Sequence, residues 1–477
     1  MTDPADLIKG LFPYFEQYGA LTGMPENGID RAVIREQVRA MAAREDKSWE
    51  DGRCSGTAYS GEREHYQLMN EVFGAFSHVN AIQRDMCPSM NRFESEIVAM
   101  TLEMLHGEAV AEHGKGHTAC GAMSSGGTES ILNALLVYRD KAKKERGILA
   151  PEIILPVTAH AAFVKGAHLL GLKAVIAPIE ASTTHVDVDF VRDHINRNTV
   201  ALIGSAGNYP YGTIDPIEAL SDLALEHGIG LHIDGCLGGF ILPWGEQLGY
   251  DIPRFDFRLP GVTSISADTH KFGYGPKGTS VICYRDRSYR EYQYFMYPEW
   301  PGGSYASPGI SGSRSGGLIA ATWAAMVTLG KAGYRTRAKA VFETSFAMQD
   351  AVTAHECLHL RGRPTFCFAF ESSAFNVYHV NDYMRPRGWR FNGVQRPDAL
   401  HFCVTGPSTR PGIVEEFKKD LGDAVAYARN PPQHEPKSSA FYGGAGMRIE
   451  DPEIMRLFLV AGMDAFYDNP IVHFAKA

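Results

Sequence analysis

Along residues 30–44 the apolar positions Ala32, Val33, Ile34, Val38 and Met41 recur at helical spacing among Arg and Glu, and this predicts an amphipathic helix. Residues 51–61 carry Gly52, Gly56 and Gly61 around Tyr59 and read as turns. From about residue 96 helix and strand patterns alternate. Residues 97–105 read as a helix, and Ile131, Leu132, Leu135 and Leu136 mark another behind Ser124-Ser125-Gly126-Gly127-Thr128-Glu129. Short apolar runs at 152–157, 173–178, 199–204, 230–234 and 262–266 have the form of strands buried on both faces. Helical patterns at 190–196 and 217–227 lie between them, and 279–284 is β-branched and strand-like. Such alternation signals βαβ units in an α/β domain with a mainly parallel central sheet. Right-handed crossovers then set the strands' C-terminal ends along one edge, where ligands collect.

Beyond about residue 335 the pattern predicts a smaller α+β domain. Strands are expected at 365–370, 374–379 and 400–404, with helices near 381–387 and 412–428. Residues 430–439, rich in Pro and Ser, read as a surface loop. The chain thus divides into a helical N-terminal segment (1–95), a large domain (96–335) and a small C-terminal domain (336–477).

The 477 residues carry a formal charge of −9, which leaves no cation excess for nucleic-acid binding. With 44% hydrophobic and 11% aromatic residues, the chain can bury a large core and is not disordered. The longest uncharged runs, 198–214 and 315–330, are interrupted by polar residues, Pro or Gly and predict no transmembrane segment. The first residues place Asp3, Asp6 and Lys9 around Leu7, Ile8, Leu11 and Phe12, unlike a signal peptide. Eight scattered cysteines without a CxxC pair fit free thiols in a reducing compartment, and a cytoplasmic location is expected.

Two motifs mislead. His355-Glu356-Cys357-Leu358-His359 matches a zinc-binding HExxH, but position 365, where a third ligand belongs, is Thr365. The segment reads instead as the end of an amphipathic helix, and no metal is expected; a zinc hydrolase built on His355 and His359 is the remote alternative. Gly273-Tyr274-Gly275-Pro276-Lys277-Gly278 matches GxGxxG, yet a strand-like segment follows it where a dinucleotide fold needs a helix.

Three other features carry chemistry. The run Ser125–Ser130 opens an amphipathic helix; its N–H groups suit a phosphate, but taken alone the run reads as a plain N-cap. Asp234 ends an apolar run and needs a cationic partner, either an Arg or a protonated pyridine nitrogen. Lys271 follows another apolar run beside His270 and Lys277, where a lysine can serve as an amine nucleophile. A phosphate cradle, then Asp, then Lys in this order is the set that pyridoxal phosphate requires.

The stretch 263–278, with Ser266-Ala267-Asp268-Thr269-His270-Lys271 at its centre, closely resembles the sphingosine-1-phosphate lyase branch of the group II pyridoxal-phosphate decarboxylase family. So do Ala58-Tyr59-Ser60-Gly61-Glu62, residues 125–132, 159–163 and 234–240, Phe255-Asp256-Phe257, 305–308 and Gly312-Ser313-Arg314. The resemblance implies a fold-type-I pyridoxal-5'-phosphate enzyme that cleaves a phosphorylated sphingoid base by retro-aldol chemistry. It also implies a homodimer with shared active sites and a dimerising N-terminal segment. Lys271 would be the Schiff-base lysine, Asp234 the partner of the pyridine nitrogen, and His160 the ring's stacking partner. Gly126, Gly127, Thr128 and His270 would hold the cofactor phosphate, with Gly303 from the neighbouring subunit. Tyr59, Asn80 and Lys277 would line the substrate-phosphate site, and Tyr59 is also expected to take part in catalysis.

Three departures concern the substrate side. Gln83 stands where the family has a His, with Arg84 beside it; Gly235 replaces an Ala beneath the ring; and residues 205–208 differ from the usual Ser-Thr-Pro-Gln. An amino-acid decarboxylase of the same cofactor family is the alternative activity.

Overall fold

The apolar runs in the middle of the chain pair into one seven-stranded sheet. Its strands are β1 (Cys120–Ser124), β2 (Glu152–Pro156), β3 (Lys173–Ala177), β4 (Thr199–Ser205), β5 (Gly230–Gly235), β6 (Ser264–Ala267) and β7 (Ser280–Tyr284). Their order is β1-β7-β6-β5-β4-β2-β3. The pairs from β6 to β3 are parallel, and β7 runs antiparallel to both its neighbours. The computed structural model that shows this describes residues 12–114, 116–438 and 451–467.

Strands β2, β4, β5, β6 and β7 are buried along their whole length, as their continuous apolar character requires. Strand β3 departs from that expectation: it is the sheet's edge, and Lys173 and Ile176 are exposed. Strand β1 was not legible, because Cys-Gly-Ala-Met-Ser offers neither alternation nor a β-branched residue.

Helices α1 (Arg63–Phe76) and α2 (Ser89–Met104) precede the sheet. Helices α3 (Gly127–Arg146) and α4 (Ala162–Leu170) cover one of its faces, where Ile131, Leu135, Tyr138 and Phe163 pack on Ile153, Leu155 and Ile203. Helix α5 (Ile217–His227) lies on the other face, its Ile217 and Leu220 against Gly204 and Ile233. Helix α6 (Gly316–Thr353) runs past residue 335 and kinks at Gly330, whose φ is 54°. Before it, a hairpin of β8 (Phe295–Tyr297) and β9 (Tyr305–Ser307) exposes Phe295, Met296, Tyr297 and Trp300.

A second, antiparallel sheet has the order β10-β11-β13-β12, from Leu358–Leu360, Cys367–Ser372, Ala399–Cys403 and Asn392–Val394 respectively. Phe417 of helix α7 (Ile413–Arg429) joins Trp389, Phe391 and Phe402 in its aromatic core. The strand expected at 374–379 is absent. Tyr378–Met384 is a helix that buries Tyr378, Val380 and Met384, so packing overrides the β preference of Val and Tyr.

The HExxH segment is not a helix end. Helix α6 stops at Thr353, and His359 lies in β10 opposite Glu371, its Nε2 3.1 Å from Ser373 Oγ. Two imidazoles on one helical face therefore do not form, and no described cluster of His, Cys, Asp or Glu could hold a metal. The GxGxxG run is the loop joining β6 to the antiparallel β7, so no helix follows it.

Residues 49–437 form one compact unit that contains both sheets. A second unit comprises, among the described residues, 12–48, 438 and 451–467. The helix expected at 30–44 is found over Arg31–Glu50; in this unit Tyr14 OH bonds Glu45 at 2.8 Å, and Pro452–Tyr467 is helical. The apolar residues Leu7, Ile8 and Leu11 lie outside the described residues. No described helix is long and apolar enough to cross a membrane.

Candidate active site

The loop leaving β6 carries Asp268, His270 and Lys271 to the sheet's C-terminal edge. It is pinned by Gly275 N–H donating to the Thr269 carbonyl (2.8 Å) and by a 2.8 Å hydroxyl bond between Thr269 and Thr279. Gly273 is required there, since a Cβ would sit 2.5 Å from the Thr269 carbonyl oxygen.

Lys271 Nζ meets Asp268 Oδ2 at 3.0 Å. Burial pushes the Lys271 ammonium towards neutrality, but the Asp268 charge and hydrogen bond prevail and hold its pKa well above the usual lysine value. Burial likewise acts to raise Asp268, and the charges of Lys271 and then His270 override it, holding the carboxyl below its ordinary range. Asp268 Oδ1, fully buried, has no hydrogen-bond partner.

His270 Nδ1–H donates to the Thr279 carbonyl (2.5 Å), which leaves Nε2 on the side of Asp268, 3.7 Å away. Burial, and next to it the competition of Asp268 with neighbouring cations, leaves the His270 pKa below the usual histidine value.

Asp234 comes from the end of β5, in register with Ser266 of β6. Its Oδ1 accepts from the Cys236 N–H at 3.0 Å and from Ser266 at 3.4 Å. His160 follows β2, its Nδ1 accepting the Ala162 N–H at 3.1 Å. Burial lowers its pKa, and the charges that act on it are those of Asp234, Lys271 and Asp268, which places it in the same site.

The start of α3 completes this side. A Cβ on Gly127 would lie 2.7 Å from Asp268 Oδ2 and 2.9 Å from Cys236 Sγ, so only glycine lets the helix start approach the lysine loop. Gly126, at φ 149°, lies against His270. The first N–H groups of a helix lack intrahelical partners, and here they open beside Thr128, which is exposed. Glu129 steadies the turn, accepting from the N–H groups of Ser125 (2.7 Å) and Ser311 (2.9 Å).

Tyr59 borders the site from the turn-rich segment, packed edge-on against Phe272 with centroids 5.0 Å apart. Lys277 Nζ lies 4.6 Å from the Tyr59 ring centroid and 3.4 Å from the His270 carbonyl. Lys277 is exposed as a residue, yet the crowding around its ammonium, then the Lys271 charge, brings its pKa down to about 8.

Two expected residues stand apart. Asn80 spends its side-chain hydrogen bonds on Ser313, Ile82 and Arg314 rather than on Tyr59 or Lys277. Gly303 is exposed in the β8–β9 hairpin loop. Among the departures, Gln83 is exposed, and Arg84 is committed to Glu94 and Asn91, so it does not replace the family's histidine as a free cation. Gly235 has a steric reason: an alanine Cβ would meet the Ser266 carbonyl oxygen at 2.8 Å.

Asp268, Cys236 and Glu129 were missed as members of the site. Asp268 had a signal, because it lies three residues before Lys271 in the same motif, but its partner could not be read without the loop's geometry.

These residues fit pyridoxal phosphate. The helix start and His270 suit a phosphate, Asp234 a protonated pyridine nitrogen, and Lys271 an aldehyde carbon. The orphaned Asp268 acceptor and the close glycine-lined helix start set polar groups beside the lysine.

Comparison with known proteins points the same way. Residues 23–368 match the pyridoxal-dependent decarboxylase conserved domain. A sphingosine-1-phosphate lyase from Arabidopsis thaliana is 42% identical over 93% of this chain and 81% of its own length. The structure of a sphingosine-1-phosphate lyase from Burkholderia pseudomallei is 60% identical, with a TM-score of 0.91 over 96% of this chain and 99% of that one. The structure of Oryza sativa TDC with PLP shares the fold at 15% identity, with a TM-score of 0.72 over 89% and 96% of the two chains.

Proposed function

The chain belongs to the pyridoxal-dependent decarboxylase family and, within it, to the sphingosine-1-phosphate lyases, and on that premise we propose how its residues share the work. The protein is a pyridoxal-phosphate-dependent lyase. It breaks the C2–C3 bond of a phosphorylated sphingoid base by retro-aldol cleavage, releasing a long-chain aldehyde and phosphoethanolamine. The decarboxylase alternative is less supported, since the relatives that match most of this chain are sphingosine-1-phosphate lyases.

When bound, pyridoxal phosphate supplies an electron sink for the carbon that loses its bond. Lys271 is the amine that carries it. Asp234 holds a proton on the pyridine nitrogen, and His160 covers the ring. Gly126, Gly127, Thr128 and His270 bind the cofactor phosphate. Tyr59 and Lys277 bind the substrate's phosphate and so orient the bond to be broken; binding energy remote from the reacting carbons thereby contributes to the rate. The observation that carries this reading is the meeting of Lys271, Asp268 and the Gly127 helix start beside Asp234.

The exposed apolar hairpin supports a homodimer in which Gly303 serves the neighbouring subunit's site. Eight free cysteines support a cytoplasmic location. The kink at Gly330 supports a boundary near residue 335 between the large (96–335) and small (336–477) domains, after the N-terminal segment 1–95.

Lys271→Ala tests the assignment. The variant should lose turnover and the visible band that borohydride fixes to the protein. Wild type should release aldehyde from a phosphorylated sphingoid base. Retention of the fixed band by the variant would overturn the role of Lys271.

A further inference from the structure

Behind Asp234 a file of buried polar side chains leads away from the site. The parallel register sets His232 beside Ser264 and Asp234 beside Ser266, and alternation turns all four to the face covered by α3. Tyr138 OH lies 2.6 Å from Ser264 Oγ; Ser264 Oγ lies 2.7 Å from His232 Nδ1. His232 Nε2 lies 3.3 Å from Ser266 Oγ, and Ser266 Oγ 3.4 Å from Asp234 Oδ1. Asp234 keeps 8% exposure and the other four 3% or less, so water does not substitute for any member.

The chemistry fixes the direction of the bonds between Ser264 and Asp234. A carboxylate only accepts, so the single Ser266 proton goes to Asp234. His232 Nε2 and the Cys236 thiol (3.2 Å) must then donate to Ser266. A neutral imidazole has one N–H, so Nδ1 accepts the Ser264 proton, and Ser264 accepts from Tyr138. All donors point towards Asp234. Burial supports the neutral ring, lowering the His232 pKa to about 4 against the opposing pull of Asp234, and the Phe163 ring lies 5.6 Å from it. The geometry also explains Gly230: a Cβ there would lie 2.2 Å from Tyr138 Cε1, so only glycine lets the tyrosine cross β5 to reach Ser264.

We propose that His232 is a positioning residue for Asp234: its Nε2–H, fixed by Ser264 and Tyr138 at the far nitrogen, orients the Ser266 hydroxyl that steadies the carboxylate facing the pyridine nitrogen. This rests on the site reading above. The relay supplies a dipole rather than a second charge, so it leaves the demand of Asp234 for a cationic partner undiminished.

His232→Phe, His232→Gln and Ser264→Ala test it in the holoenzyme. His232→Phe should still let borohydride fix the cofactor to the protein but move the pH titration of the unreduced visible band by about one unit, with kcat lowered about tenfold and KM held within about twofold. His232→Gln, which keeps a donor and an acceptor, should restore most of the titration. Ser264→Ala removes little bulk and should move the titration in the same direction by less, which keeps the test available if His232→Phe does not fold. An unmoved titration in both His232→Phe and Ser264→Ala overturns the proposal, as does a shift that His232→Gln fails to restore. A wild-type protein with no fixed band would instead bring down the site reading, and the relay's function with it.

Discussion

Lys271 Nζ and Asp268 Oδ2 form a 3.0 Å ion pair in which Asp268 keeps only 2% of its surface exposed. The pair resists what burial alone would do, because it holds the amine protonated while desolvation favours the neutral form. An amine attacks a carbonyl only when neutral. Capture of added cofactor by the cofactor-free protein should therefore accelerate as pH rises, up to values beyond an ordinary lysine. In Asp268→Asn the largest influence opposing desolvation is gone, and the rate profile should move down by more than about one pH unit. Stopped-flow growth of the visible band between pH 6.5 and 10 measures this; coincident profiles would mean that the pair does not control the amine. The stability sign is separate. A raised lysine value contributes stability below the unfolded value of about 10.4, lost as pH climbs through the folded one.

Lys277 is displaced the opposite way, to about 8. Its charge is present at neutral pH and fades as pH rises through that value. The substrate's phosphate becomes a dianion above about pH 6. For the phosphorylated base, kcat/KM should rise near 6 and fall near 8, since this ratio reports the free enzyme and free substrate. Lys277→Arg should abolish the fall, because guanidinium stays charged. Lys277→Ala should raise KM while leaving the cofactor band intact. An alkaline limb that survives in Lys277→Arg would remove this lysine from the substrate site.

The catalytic strands and the helix behind the cradle were legible because buried parallel strands leave continuous apolar runs, and a glycine-serine opening marks a helix start. The same logic failed where a residue's environment is set by its neighbours across the fold. β3 has the composition of an inner strand but lies at the edge. Val377 and Tyr378 favour a strand yet enter a helix, because Tyr378 and Met384 find the core that way. The His355–His359 pair satisfied a spacing rule on the assumption of a helix, and the chain is a turn and a strand there. Lys271, Asp234 and the cradle follow from chain order and chemistry. Asp268's partner and the His232 relay depend on loop geometry and on strand register, which no local pattern encodes.

Gly230 makes the register dependence measurable. Tyr138 is held by Thr263 at 2.7 Å and Ser264 at 2.6 Å and cannot retreat from a new methyl group without giving these up. Gly230→Ala should cost about 1–3 kcal/mol as overpacking. Denaturant melts would show this as a lowered midpoint with unchanged slope. A wild-type midpoint would mean that the tyrosine moves freely, and that the hydroxyl file is not rigid.

Glu94 is the sharpest stability test outside the site. It is 7% exposed, and its carboxylate takes Arg314 from the loop before α6 and Arg84 from the segment before α2, with Arg314 NH2 at 3.2 Å. The Arg314 side chain keeps only 9% of its surface, so neither water nor another carboxylate replaces the lost partner. Glu94→Gln should therefore cost about 3–5 kcal/mol, most of it from the buried guanidinium left without a counter-charge. Glu103 offers the contrast: it pairs with Lys331 on the surface, both more than half exposed, and Glu103→Gln should cost less than about 1 kcal/mol and only at low salt. Equal losses in the two variants would show that burial does not set the worth of these ion pairs. A large loss at Glu94 that persists in high salt would show that it does. Because Arg314 N–H also donates to Asn80 Oδ1, the same substitution should loosen the 80–84 segment, detectable as faster amide exchange there than in Glu103→Gln.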